Sequence, residues 1–433
     1  MSSLLRNTSL SSFKNGSLTD FLDYLEQLEN HFTSKEQEIF AFVPEPGRFK
    51  RLHFEARALF EQYPDPKKRP PLFGLMVGVK DIFHADGHTT SAGSHVPANV
   101  LQGTEAESVM LLKKAGALVI GKTITTEFAY FAPGPTRNPH NVLCTPGGSS
   151  SGSAAAVSSG LCLLSLGTQT IGSITRPAAF CGVIGYKPTY DRISRSGVIP
   201  LSPSVDHVGT FAPDVATAAC AATQLVESWN LKTIDTKGDS HTVLGVPEGV
   251  YLDNVSNEGD SQFRATCHRL TNAGFEIKSV PTMPDFEDIF VRHNLIVAAE
   301  AANVHKDWFA SYTNKYHPKT AELILQGQLV SNHDLNMALE GRTRLREELI
   351  ALMDLNQIDL WISPSAPGVA PNGLDSTGDP VMNLPWTHSG LPTIGMPSGK
   401  NSDGLPFGLQ LTGRFGEDET LFVLASQIEA ALI

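Results

Sequence analysis

Three blocks of this chain carry side chains that could perform acyl transfer together. They are Gly78-Val79-Lys80-Asp81, Pro146-Gly147-Gly148-Ser149-Ser150-Ser151-Gly152-Ser153, and Gly167-Thr168-Gln169-Thr170-Ile171-Gly172-Ser173-Ile174-Thr175-Arg176-Pro177. Serine is a poor nucleophile at neutral pH and needs a base. A lysine can be that base if its pKa of about 10.4 falls by about three units, which is roughly 4 kcal/mol. Burial among Val77, Val79 and Ile82 would supply the shift. Asp81 would oppose it at close range, so strand alternation is expected to turn Asp81 away. The two outer blocks then read as the ends of a proton relay. Taken singly, Lys80 would be an exposed strand-end lysine and Ser173 a turn serine.

Ser173 closes a loop in which the backbone N–H groups of Thr170, Ile171, Gly172 and Ser173 can converge on one point. Such a cluster would hold the oxyanion of a tetrahedral intermediate, where losing one donor slows acyl transfer by about 10² to 10³. These donors are main chain, so the side chain of Ile171 does not remove one.

The segment from about 70 to 215 resembles the amidase signature family, serine amidases with a Ser–Ser–Lys triad. The resemblance continues through Ser363-Pro364-Ser365-Ala366-Pro367, Gly390-Leu391-Pro392 and Gly404-Leu405-Pro406-Phe407-Gly408-Leu409-Gln410, and is thinnest between about 226 and 345. It implies Ser173 as nucleophile, Lys80 as general base and Ser149 as the shuttle between them, with a cis Gly148–Ser149 bond and Ser150 in support. It also implies one large mixed, mostly parallel twisted sheet with helices on both faces. The commoner family pattern has arginine two residues after the nucleophile, where this chain has Thr175. With Arg176 three residues after it, the block is more similar to malonamidase-type members, in which that arginine binds a substrate carboxylate. Arginine's planar fork suits that task; pairing with a buried acid is the alternative. Phe128, Trp386 and His388 lie on aromatic-rich stretches that would face the acyl group, although core packing is the plainer role for each.

The elements that position these residues follow from periodicity. Residues 18–32 have helical spacing, with Ser17 or Thr19 as cap. Residues 74–79 form a strand ending in Lys80, 105–115 a helix stopped by Gly116, and 117–120 a buried strand. The loop 145–153 opens a helix of small residues, 161–166 is the next strand, and the loop 167–173 follows. Strand–helix alternation indicates an α/β layered core. One domain is expected over 1–433: an N-terminal helical segment (1–60), a signature core (61–225), a helical substrate-side region (226–350) and a C-terminal return to the sheet (351–433).

Composition narrows the rest. A chain of 433 residues needs no disulfide staple, and five scattered cysteines argue for free thiols in a reducing compartment. Cys144, beside the serine loop, has no Cys–His motif and reads as packing. A net charge of −12 without a long basic run disfavours nucleic acid. No apolar run is long enough to span a bilayer. The acid-free first eighteen residues faintly resemble a transit peptide, but a frayed terminus and a cytoplasmic location are expected.

Four motif matches are refused. Gly116 to Thr123 fits the P-loop pattern, but its intervening residues form a strand. Ser150 sits centrally in an elbow-like Gly148–Gly152, an arrangement that leaves Lys80 and Ser173 without a purpose. Ser11-Ser12-Phe13-Lys14 lacks its partner motifs. His84 and His88 have metal-ligand spacing, but Gly87 argues against a helix, so no metal is implied. The expected function is an amidohydrolase acting on a small linear carboxamide, with no cofactor. The alternatives are the amidase subunit of a tRNA-dependent amidotransferase and a serine esterase. The resemblance also makes a homodimer an open expectation.

Overall fold

The computed structural model describes residues 10–230 and 242–432. Half of the transit-peptide-like segment, residues 1–9, lies outside the described residues. The strands are β1 (Met76–Lys80), β2 (Leu118–Thr123), β3 (Leu164–Gln169), β4 (Ile184–Lys187), β5 (His207–Ala212), β6 (Val243–Glu248), β7 (Glu276–Pro281), β8 (Leu360–Pro364), β9 (Thr393–Lys400) and β10 (Pro406–Thr412). They form one ten-stranded sheet in the order β2-β1-β3-β5-β4-β9-β10-β8-β6-β7. The flanks β2-β1-β3 and β8-β6-β7 pair in parallel, and the strands between them pair antiparallel. With its flanking helices this is the single large α/β domain with a mixed sheet that the sequence led us to expect.

Strands β1, β2 and β3 are buried at every residue, as strands covered on both faces must be. The helix Leu18–Ile39 starts at a Ser17 capping box with Asp20 and buries Phe21, Leu25, Leu28 and Phe32 on one stripe. A second apolar cluster joins the helices Phe286–Val304 and Asn332–Asn356 to Trp361, Trp386 and Leu391.

Two differences from the sequence reading have physical causes. Strand β3 starts at Leu164 and runs on through Gly167-Thr168-Gln169, so the first part of the supposed loop is ladder. Its pairing with β5 overrides the glycine there. The region 226–350 holds β6 and β7 as well as helices. Strand β7 is only half-buried and carries Glu276 and Lys278, which hid its strand character. The P-loop look-alike is strand β2, not a loop. Among the described residues no helix is long and apolar enough to cross a membrane.

Candidate active site

Parallel pairing sets the register of the site. Val79 of β1 lies beside Leu166 of β3, so Lys80 and Thr168 emerge at the same sheet edge. Lys80 is fully buried, and its Nζ lies 2.8 Å from Ser149 Oγ and 2.7 Å from Thr168 Oγ1. Desolvation holds the Lys80 amine well below its ordinary pKa, against a smaller opposing pull from the Asp206 carboxylate. Asp81 faces away, as alternation requires: its carboxylate lies 2.9 Å from Lys122 Nζ and accepts the Ser91 N–H at 3.1 Å.

The serine loop is braced on every side. The Gly148–Ser149 peptide is cis. Ser149 O accepts from Thr126 N at 3.2 Å, and Ser151 Oγ donates to Gly147 O at 2.8 Å. Ser150 Oγ donates to Thr168 O and accepts from Thr168 N, so it ties this loop to β3. The following helix, Ser151–Ser158, packs close: a Cβ on Gly152 would come 2.1 Å from Ala41 O.

The loop after β3 presents the converse pattern. His293 Nε2 holds Thr170 O at 3.0 Å, Thr387 Oγ1 donates to Ile171 O at 2.6 Å, and Arg176 N donates to Gly172 O at 3.1 Å. Gln169 Oε1 takes the N–H groups of Ile174 and Thr175. Among the described residues, the N–H groups of Thr170, Ile171, Gly172 and Ser173 have no acceptor. In a trans peptide the N–H points opposite to the preceding C=O. Carbonyls tied on one side therefore leave a row of amides on the other. Ser173 is buried, and its hydroxyl likewise has no partner among the described residues. The inner link of the expected relay, Lys80 to Ser149, is thus formed; the outer link, Ser149 to Ser173, is not closed by a direct hydrogen bond.

The remaining candidates divide. Arg176 is fully buried and donates through Nη2 to Gly148 O at 2.6 Å and to Thr377 Oγ1 at 3.1 Å, while Nε and Nη1 lack partners. Burial lowers its pKa to about 9, opposed by Asp379. No acid among the described residues forms an ion pair with it. Phe128, Trp386 and His388 are packed in the interior. Phe128 lies against His305 and Tyr316, Trp386 Nε1 donates to Tyr251 Oη, and His388 contacts His293. All three are buried, as Lys80 and Ser173 are. All five cysteines are free, and burial raises the Cys144 thiol. Among the described residues no cluster of acids, histidines and cysteines could hold a metal.

Sequence reasoning missed Thr168, Gln169, Asp206 and Thr387. Each is a common polar residue whose role exists only across strands; the run Thr168-Gln169-Thr170 is the only local signal.

The chain is an amidase-type C–N hydrolase, as its family match and its relatives show. The amidase family model matches residues 49–422, and the chain belongs to that family. It is 30% identical to a subunit of glutamyl-tRNA(Gln) amidotransferase from Synechococcus sp. (strain RCC307), over 97% of this chain and 96% of the relative. A solved amidase is 31% identical, with a TM-score of 0.87 over 99% of this chain and 100% of its own. A member of a vestigial complex that bears on the origins of an s-triazine catabolic enzyme is 28% identical, with a TM-score of 0.84 over 95% and 94%.

Proposed function

We propose that the chain cleaves the C–N bond of a small linear carboxamide through an acyl-enzyme on Ser173. Ser173 Oγ attacks the carbonyl carbon, and its proton passes through Ser149 Oγ to the neutral Lys80 amine. The unspent amides of residues 170–173 take the oxyanion. The proton then returns to the leaving nitrogen, and water cleaves the ester by the same relay. The observation that carries this reading is the 2.8 Å contact between a fully buried Lys80 and Ser149. The open Ser149–Ser173 link accords with it, since catalytic hydrogen bonds are often long in the free enzyme and tighten around substrate.

The two unpartnered donors of Arg176 favour an amide that also bears a carboxylate, because a buried guanidinium without acceptors is costly. A turnover screen over acyl amides, ureas and carboxylate-bearing amides tests this. Lys80→Ala and Ser173→Ala should abolish turnover, and Arg176→Ala should raise KM more for acidic than for neutral amides. Full turnover by folded Lys80→Ala protein would refute the mechanism.

A second reading, the amidase subunit of a tRNA-dependent amidotransferase, is favoured by the names of the curated relatives. It differs in the fate of the ammonia, which would pass to a partner subunit. Glutaminase activity that appears only with co-purified partners supports it, whereas turnover by the isolated chain supports a stand-alone hydrolase. The esterase reading loses ground because Ser150 Oγ is committed to both backbone groups of Thr168.

A further inference from the structure

Asp206 precedes β5 by one residue. Antiparallel pairing of Gln169 with His207 brings it to the sheet edge that carries Lys80. Its side chain is buried and fully engaged. Oδ1 accepts from Thr170 Oγ1 at 2.6 Å, and Oδ2 accepts from the amides of Leu201 at 2.9 Å and Ser202 at 3.0 Å. Asp206, Thr168 and Thr170 share the wall of a cavity of about 280 Å³, and Thr168 is the second partner of Lys80 Nζ. The acid next to Lys80 in the chain, Asp81, is already matched by Lys122. Resting on the acyl-enzyme reading, we propose that Asp206 is a positioning residue with two tasks. It anchors Thr170 at the head of the amide loop, and it provides the buried counter-charge for Lys80 while that residue holds the proton of Ser173.

The proton balance shows why a counter-charge is required. As the Ser173 Oγ–acyl carbon bond forms, the hydroxyl proton moves through Ser149 to Lys80 and makes an ammonium. As the C–N bond breaks, the proton leaves for the amine. In between, a cation occupies a site stripped of water, where an unpaired charge is costly. Three donors aimed at its two oxygens favour the Asp206 carboxylate, while burial pushes its pKa up to about 6 against them and Arg195. Arg195 and His207 face it from the same cavity, and Glu300 of the helix Phe286–Val304 accepts from Ser202 Oγ behind it. Burial keeps His207 neutral. Ser149 and Thr168 face Lys80 directly, and Asp206 supplies the charge that acts on it.

The test uses a fluorophosphonate probe, the rate of Ser173 labelling against pH, and mass-spectrometric mapping of the modified serine. The full-length protein and its variants are used, with folding checked by thermal melting. In wild type the rate rises with pH as Lys80 loses its proton. Removing the anion in Asp206→Asn should move that rise to lower pH by about one unit and lower the plateau. Thr170→Val keeps the anion but loses the anchor, so its plateau should fall with the rise unmoved. An Asp206→Asn profile that overlays wild type overturns the counter-charge. An unchanged Thr170→Val plateau overturns the anchor, and decides that half even if Asp206→Asn does not fold. Wild-type protein unlabelled at Ser173 would instead remove the acyl-enzyme reading itself, a result distinct from either.

Discussion

The carboxylate of Asp81 lies 2.9 Å from Lys122 Nζ, with both side chains buried, and this pair leaves Lys80 without an anion next to it in the chain. Lys80 can therefore be kept uncharged by burial although an aspartate follows it directly.

That pair yields the first prediction. Lys122→Met strands a buried carboxylate and should cost about 3–5 kcal/mol of stability, whereas replacing both partners with apolar or neutral groups should cost much less. Denaturant melts of Lys122→Met, Asp81→Asn and the double variant would measure the coupling. Strictly additive losses would show that the pair does not act as a unit.

Lys80 fixes the pH dependence of turnover. Its folded-state pKa is depressed, and the neutral amine is the active form, so kcat/KM should fall as pH drops through that depressed pKa. Lys80→Arg, charged at every accessible pH, should lose about 10² to 10⁴ in rate and should also melt at a lower temperature, because it places a permanent charge in a fully buried site. A pH profile still rising between pH 9 and 10 would mean that Lys80 keeps an ordinary pKa.

Gly172 has no room for a side chain: a Cβ there would come 2.4 Å from Asn383 Oδ1. Gly172→Ala should shift the amide loop and lower kcat by about 10²-fold, the scale of losing one oxyanion donor. Steady-state kinetics with unchanged KM would distinguish this from a damaged binding pocket.

His293 and His388 touch through their Nδ1 atoms at 3.3 Å, and burial lowers their pKa values to about 3 and about 2. In the unfolded chain both would protonate near the usual histidine value of about 6.5. Between those values the unfolded state binds more protons, so stability rises with pH and is lost on acidification. Each histidine should contribute a slope of roughly 1.4 kcal/mol per pH unit below about pH 6. Melting curves from pH 7 to pH 4 would show this, and His293→Gln should flatten the slope. An identical slope in that variant would assign the acid sensitivity elsewhere.

The local sequence determined a good deal. The apolar run before Lys80, the Ser/Gly loop opening a helix of alanines and the helix 18–32 with its Ser17 cap are short-range patterns, and a strand or helix follows from each with little help from distant residues. They also placed a lysine at a strand end and two serines on tight loops, enough to suggest acyl transfer.

Tertiary structure decided what those residues experience. Lys80 is a base candidate only because β3 and the serine loop close over it, and the pairing of β1 with β3 is what brings it to Thr168, 88 residues away in sequence. The glycine in β3 reads locally as loop, and only the ladder with β5 makes it strand. Phe128, Trp386 and His388 are buried by neighbours from distant parts of the chain, His305 and Tyr316, Tyr251, and His293, which no local pattern announces. Asp206 and Thr387 have no local signature, because their partners, Thr170 and Ile171, meet them only after the sheet has formed. Burial and long-range hydrogen bonding are properties of the assembled sheet, so a spacing rule along the chain could not reveal them.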